Sequence, residues 1–139
     1  MAACTFYRQF VEDLGKGVHN LDADDIRVAL TDHLPVNTDA VYADISDMGT
    51  GGGYTATGEA VVGLDFEQVL GVAKLAFNDI VWTGAAGGFG PCRYAVLYNN
   101  TPVGGALIAW WDRGSSVTVA AGDTLTFNAT DNTNILQIS

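Results

Sequence analysis

Ile26-Arg27-Val28-Ala29-Leu30-Thr31 decides the fold: Ile26, Val28 and Leu30 alternate with Arg27, Ala29 and Thr31, and then Pro35 and the Asn37-Thr38-Asp39 cluster break the run. A period of two sends successive side chains to opposite faces, so this stretch predicts a half-buried β-strand followed by a turn. The same alternation recurs over residues 41–45, 54–62, 69–77, 80–83, 93–98, 106–111, 116–119, 124–129 and 134–138, separated by Gly, Asn, Asp and Pro clusters. Short strands with turn signals at roughly 8–12-residue intervals predict a mainly β fold, an antiparallel sandwich or jelly-roll-like domain. An α/β sheet would need crossover helices that the sequence does not offer.

Upstream of this stretch, Phe6, Tyr7, Phe10, Val11 and Leu14 recur at three- and four-residue spacing after Thr5, a candidate N-cap, and Gly15 and Gly17 end the pattern. They predict one short amphipathic helix over residues 5–16, with residues 24–139 forming the sandwich of a single domain. The apolar stripe is narrow and mostly aromatic, so the helix needs a surface to lie on, either the main domain or a neighbouring subunit. Two Gly-rich stretches, residues 49–53 and 84–91, lack the Lys-Ser/Thr ending of a phosphate loop and lead into no helix, so they read as strand connections.

Length and composition agree with one domain. For 139 residues and 14.6 kDa, area scaling gives about 21,000 Å² for the unfolded chain and about 7,000 Å² when folded, enough burial to fold without disulfides or metals. Charged residues are only 16% of the chain and the mean hydropathy is +0.19, which leaves part of the surface suited to another subunit. The net charge is −10, and the six cations, Arg8, Lys16, Arg27, Lys74, Arg93 and Arg113, are scattered, so nucleic acid is not an expected partner. Twelve of the sixteen acids fall at or before Glu67; solubility is the simpler reading of that field, and a basic partner surface the other. No apolar run is long enough to span a membrane. The opening residues lack a signal-peptide pattern and Cys4 and Cys92 stand in no metal-type spacing, which points to synthesis in a reducing cytoplasm.

Few residues stand in a pattern that chemistry requires. Asp22, Asp24 and Asp25 would suit a hard cation, but Arg27 and His33 stand where a calcium loop requires Gly and Glu, so a turn stabilised by aspartate hydrogen bonds is favoured. Among Asp44, Asp47, Glu59, Asp65 and Glu67 no spacing singles out an acid–base pair. His19 and His33 are candidate bases and Ser46, Ser115 and Ser116 candidate nucleophiles, yet none lies in a nucleophile-elbow or Cys/His pattern. The expectation is a non-enzyme with no cofactor and no metal.

The aromatic residues carry more. Adjacent strand residues face opposite ways, so Trp110 and Trp111 cannot share one core, and Tyr94, Val96 and Tyr98 lie on one face opposite Arg93, Ala95 and Leu97. One of the two tryptophans should therefore line an interface or a groove, a subunit contact or a sugar platform, unless the N-terminal helix forms a second layer that buries it in a two-layer core. Phe6, Tyr7, Phe10, Leu14, Trp110 and Trp111 are the candidate interface residues.

The order of motifs adds a resemblance. Asp25-Ile26-Arg27-Val28-Ala29-Leu30-Thr31, Pro35-Val36, Tyr42-Ala43-Asp44-Ile45 and Gly53-Tyr54-Thr55 are followed by Val81-Trp82-Thr83, Gly88-Phe89-Gly90-Pro91, Arg93-Tyr94-Ala95-Val96-Leu97-Tyr98, Trp111-Asp112-Arg113-Gly114 and Gly122-Asp123-Thr124-Leu125-Thr126-Phe127. Together they resemble a family of small virion structural proteins of tailed bacteriophages. Trp110-Trp111 and Asn99-Asn100 depart from that pattern. The resemblance implies a β-rich, non-enzymatic component of the particle, either a capsid decoration or cement protein or a tail part. The expected partners are then the major capsid protein and further copies of the chain, most simply a trimer at local threefold positions on the capsid surface. A tail or fibre component and a carbohydrate-binding module are the alternatives.

Overall fold

The strand that decides the sequence reading forms over the expected residues, Ile26–Thr31 (β2). In the computed structural model, which describes residues 4–129 and 136–138, β2 pairs antiparallel with Phe89–Asn99 (β7), Leu30 opposite Ala95 and Val28 opposite Leu97. Beyond β7 lies the long strand Ala106–Val119 (β8), and Thr5–Phe6 (β1) and Glu59–Ala60 (β3) complete a five-stranded sheet in the order β1-β8-β7-β2-β3. Asp65–Val69 (β4), Val72–Ala76 (β5) and Leu136–Ile138 (β10) make a second sheet, and Ile80–Thr83 (β6) pairs with Thr124–Phe127 (β9) as a third. Every named pairing is antiparallel. The chain is mainly β, with one short α-helix, Arg8–Gly15 (α1), among the described residues.

The main sheet is covered on both faces, which is why β2 is buried more completely than its alternation alone predicts. Ile26, Val28 and Leu30 join Leu75 of β5, Trp82 of β6, Trp111 of β8, Phe127 of β9 and Phe10 of α1 in one large core. On the opposite face Ala29, Val96, Tyr98 and Leu107 pack with Tyr7 and Ile45 in a second cluster. Each fully buried aliphatic side chain, such as Leu97, Leu107 or Ile108, contributes about 1.5–3 kcal/mol. Thr31 secures the covering segment, its hydroxyl directed at the carbonyls of Ile45 and Ser46 at 2.9 and 2.8 Å.

Several boundaries differ from the sequence expectation. The helix spans Arg8–Gly15 rather than residues 5–16, and Thr5 is not its N-cap. Thr5 and Phe6 instead pair with Trp110 and Ala109, Tyr7 donates its N–H to Ile108 O at 3.1 Å, and Tyr7 becomes the N-cap without a side-chain hydrogen bond. Pairing along the free edge of β8 satisfies backbone groups that a longer helix would leave open. Residues 41–45, expected as a strand, form a 3-10 turn at Tyr42–Ile45, because the Asp44 carboxylate accepts the N–H groups of Ala40 and Val41. Of residues 54–62 only Glu59–Ala60 are strand, and the 69–77 stretch belongs to the β4–β5 hairpin turning at Leu70 and Gly71, both at positive φ. The expected strands 106–111 and 116–119 fuse into β8, and 124–129 shortens to Thr124–Phe127. Of the strand expected over 134–138, Leu136–Ile138 is observed, and residues 134 and 135 lie outside the described residues.

Candidate functional site

Period-two alternation in β8 separates the two tryptophans as the sequence requires. Trp111 is 5% exposed in the large core, its ring edge-on to Phe127 at 5.0 Å. Trp110 lies on the other face, half-buried against the second cluster and edge-on to Tyr94 at 6.0 Å. Trp111 also lines an open pocket of about 270 Å³ where the β7–β8 pair meets the β6–β9 pair, with Trp82, Leu125 and Phe127 among its walls. The groove thus lies beside the tryptophan that enters the large core, whereas strand alternation alone reserves it for the one left out. At its rim Arg93 holds Asp112 through two hydrogen bonds of 2.8 and 3.1 Å and lies 5.5 Å above the Tyr94 ring. That contact, with the Gly114 N–H, lowers the carboxyl pKa of Asp112 below its ordinary value.

The polar residues that sequence reading singled out are engaged in holding loops. Asp22 accepts the Phe66 N–H at 3.1 Å, Asp24 accepts the Asn20 N–H and the Asn99 amide, and Asp25 pairs with Arg27 and accepts from Asn100. The three aspartates thus act as turn and strand ties, the reading favoured over calcium, and no group of three or more His, Cys, Asp or Glu suited to a metal occurs among the described residues. Asp47 accepts from the phenols of Tyr42 and Tyr54 and from the N–H groups of Met48 and Thr57. Glu59, Asp65 and Glu67 are exposed on β3 and β4. His19 is buried between the Phe10 ring, 5.3 Å away, and Asn99, 3.1 Å from Nδ1, and burial pulls its pKa down. Ser116 donates directly to Asp32 at 2.6 Å, and Ser115 accepts from Arg113. Burial raises Cys92 to about 11, so its thiol stays protonated at neutral pH.

The expected interface set requires correction. Tyr7, Phe10 and Trp111 are 0%, 1% and 5% exposed and pack inside the chain's own cores, so they present nothing to a partner. Phe6, stacked on Phe10 at 5.3 Å, and Leu14 are half-buried against the large core, and Trp110 is half-buried against the second. The helix finds its covering surface within its own domain. What the surface does offer is aliphatic: nine large hydrophobic side chains stand exposed among the described residues, including Leu34, Val36, Val41 and Val103. Isolated branched residues in loops give no sequence signal that separates an exposed side chain from a buried one. The loops carrying Val41 and Val103 are tied together, since Tyr42 donates its N–H to Gly104 O at 3.2 Å and Leu107 donates to Ala40 O at 3.0 Å.

No helix of the described residues is long and apolar enough to cross a membrane. Compared with protein-family models, with curated proteins and with solved structures, the chain has no significant match.

Proposed function

We propose that this chain is a virion structural protein of a tailed bacteriophage, a capsid decoration or cement protein made in the host cytoplasm that binds the outside of the shell where subunits meet. The supporting observation is the tied loop pair bearing Val41 and Val103, exposed by 40% and 105%, with Leu34 and Val36, also exposed, a few residues before Val41 in the chain. Aliphatic side chains on loops already fixed by backbone hydrogen bonds lose little freedom when covered, which favours assembly over solvent exposure. A shell subunit covering them gains apolar burial repeated at every symmetry-related position, and a closed trimer of the chain suits a threefold site. In this reading the domain's contribution is mechanical: many such contacts must be lost together before the shell opens.

The test is a count of this protein relative to the main shell protein in purified particles, followed by binding of Val103→Asp with Leu34→Asp to shells lacking it. Copy numbers comparable to the shell protein and loss of binding by a folded variant support the decoration role. A handful of copies moves the protein to the tail or fibre, and absence from particles overturns the virion reading. The sugar-binding alternative has less support, because the pocket beside Trp111 is lined mainly by apolar side chains, which leave a sugar's hydroxyls without partners.

A further inference from the structure

We infer that the pocket between β7–β8 and β6–β9 binds a small aromatic carboxylate of one or two fused rings, with the ring between Trp111, Trp82 and Phe127 and the carboxylate at Arg113. The inference does not depend on the assembly reading. Size sets the first limit. A dry cavity of about 150 Å³ takes one benzene, so about 270 Å³ admits a bicyclic ring but not an extended chain. Wall geometry sets the second. The Trp111 and Phe127 rings meet at 82°, forming a corner in which a flat ring stacks on one surface and meets the other edge-on, the two preferred aromatic arrangements. Leu30 and Leu125 complete an apolar lining in which water finds few partners.

Charge sets the third limit. Two guanidinium groups and one carboxylate line the mouth. Arg93 and Asp112 neutralise each other through their paired hydrogen bonds, whereas Arg113 makes no ion pair among the described residues and donates only to Ser115. In a chain with six cations and sixteen acids, a guanidinium that pairs with no carboxylate among the described residues, beside an aromatic pocket, fits an anionic group on the ligand.

The probes are indole-3-acetate, neutral indole and cationic tryptamine, titrated into the full chain while the indole N–H resonances of Trp82 and Trp111 are followed. Indole-3-acetate is expected to shift both signals saturably with a Kd on the order of 1 mM or tighter, ahead of indole, with tryptamine weakest. Arg113→Ala, an exposed position, is expected to weaken indole-3-acetate about two- to fivefold and to leave indole unchanged. Leu125→Trp, which fills the pocket, is expected to abolish both; should it fail to fold, the Arg113→Ala comparison decides alone. Unsaturable shifts, equal binding of the three probes, or binding indifferent to Arg113→Ala overturns the inference.

Discussion

Tyr54 donates its phenolic hydrogen to Asp47 Oδ1 at 2.5 Å while its oxygen accepts the Leu30 N–H at 3.0 Å. One side chain thereby joins the middle of β2 to the carboxylate that also receives Tyr42, Met48 and Thr57. Burial and the neighbouring carboxylate raise the pKa of both Tyr42 and Tyr54, keeping them neutral donors. Tyr98 extends the set by donating to Thr57 O, its own pKa pushed up to about 12 by burial. The lattice ties the two cores together, since Tyr54 packs in the large one and Tyr42 and Tyr98 belong to the second.

Tyr54→Phe removes a donor from Asp47 and leaves the buried Leu30 N–H without its acceptor. The expected loss is about 1–3 kcal/mol, the cost of an unsatisfied buried group. Urea unfolding should show a lower midpoint with an unchanged slope; an unchanged midpoint would mean that water replaces the phenol at no cost.

The two Gly-rich connections dock on one another, and substitutions there separate close approach from backbone conformation. Ala85 donates its N–H to Gly52 O at 2.8 Å, and a Cβ on Gly52 would lie 1.6 Å from Gly88 O. Gly87, also at positive φ, has open space where its Cβ would go. Gly87→Ala should therefore cost about 1–2 kcal/mol for the left-handed conformation alone, and Gly52→Ala clearly more, because two backbones must separate. Thermal unfolding of the two variants side by side measures the difference, and equal losses would contradict the docking.

Sequence alone carried the parts of the fold governed by period. Ile26–Thr31 and Ile80–Thr83 were legible to the residue, and the split between Trp110 and Trp111 follows from the alternation of β8. It failed where a local hydrogen bond competes with period: Asp44 curls residues 41–45 into a turn, and the open edge of β8 draws Thr5 and Phe6 out of the helix. At Tyr7, Phe10 and Trp111 the candidate interface failed for a different reason. Sequence marks Phe6, Tyr7, Phe10 and Leu14 as an apolar stripe but does not say what covers it, and here the chain's own sheets do. The pocket's walls come from five strands spread between Leu30 and Phe127, so no local pattern announces it.

The adjacent tryptophans offer a direct comparison of the two faces. Trp111→Ala empties part of the large core and should cost about 3–5 kcal/mol. Trp110→Ala acts on a half-buried side chain whose indole N–H has no partner, so nothing but packing is lost and the cost should be nearer 1–2 kcal/mol. Denaturant midpoints of the two variants give the ranking. Equal costs would show that the second face is as tightly packed as the first.

His19 links stability to pH. Burial lowers its folded-state pKa below the ordinary 6.5, with Asp13 and Asp24 opposing the shift in part. As pH falls through 6.5 the unfolded chain takes up a proton that the native chain refuses, so the unfolded state is favoured and stability declines. The decline ends once pH passes below the native value and both states are protonated. His19→Gln cannot titrate, so its stability should lack this step as pH falls through 6.5. The variant retains His33 and every carboxylate, and the difference between the two curves, measured by urea unfolding at constant ionic strength, therefore belongs to His19. Parallel curves would mean that the imidazole is protonated equally well in the folded chain, with Asp13 and Asp24 outweighing its burial beside Phe10.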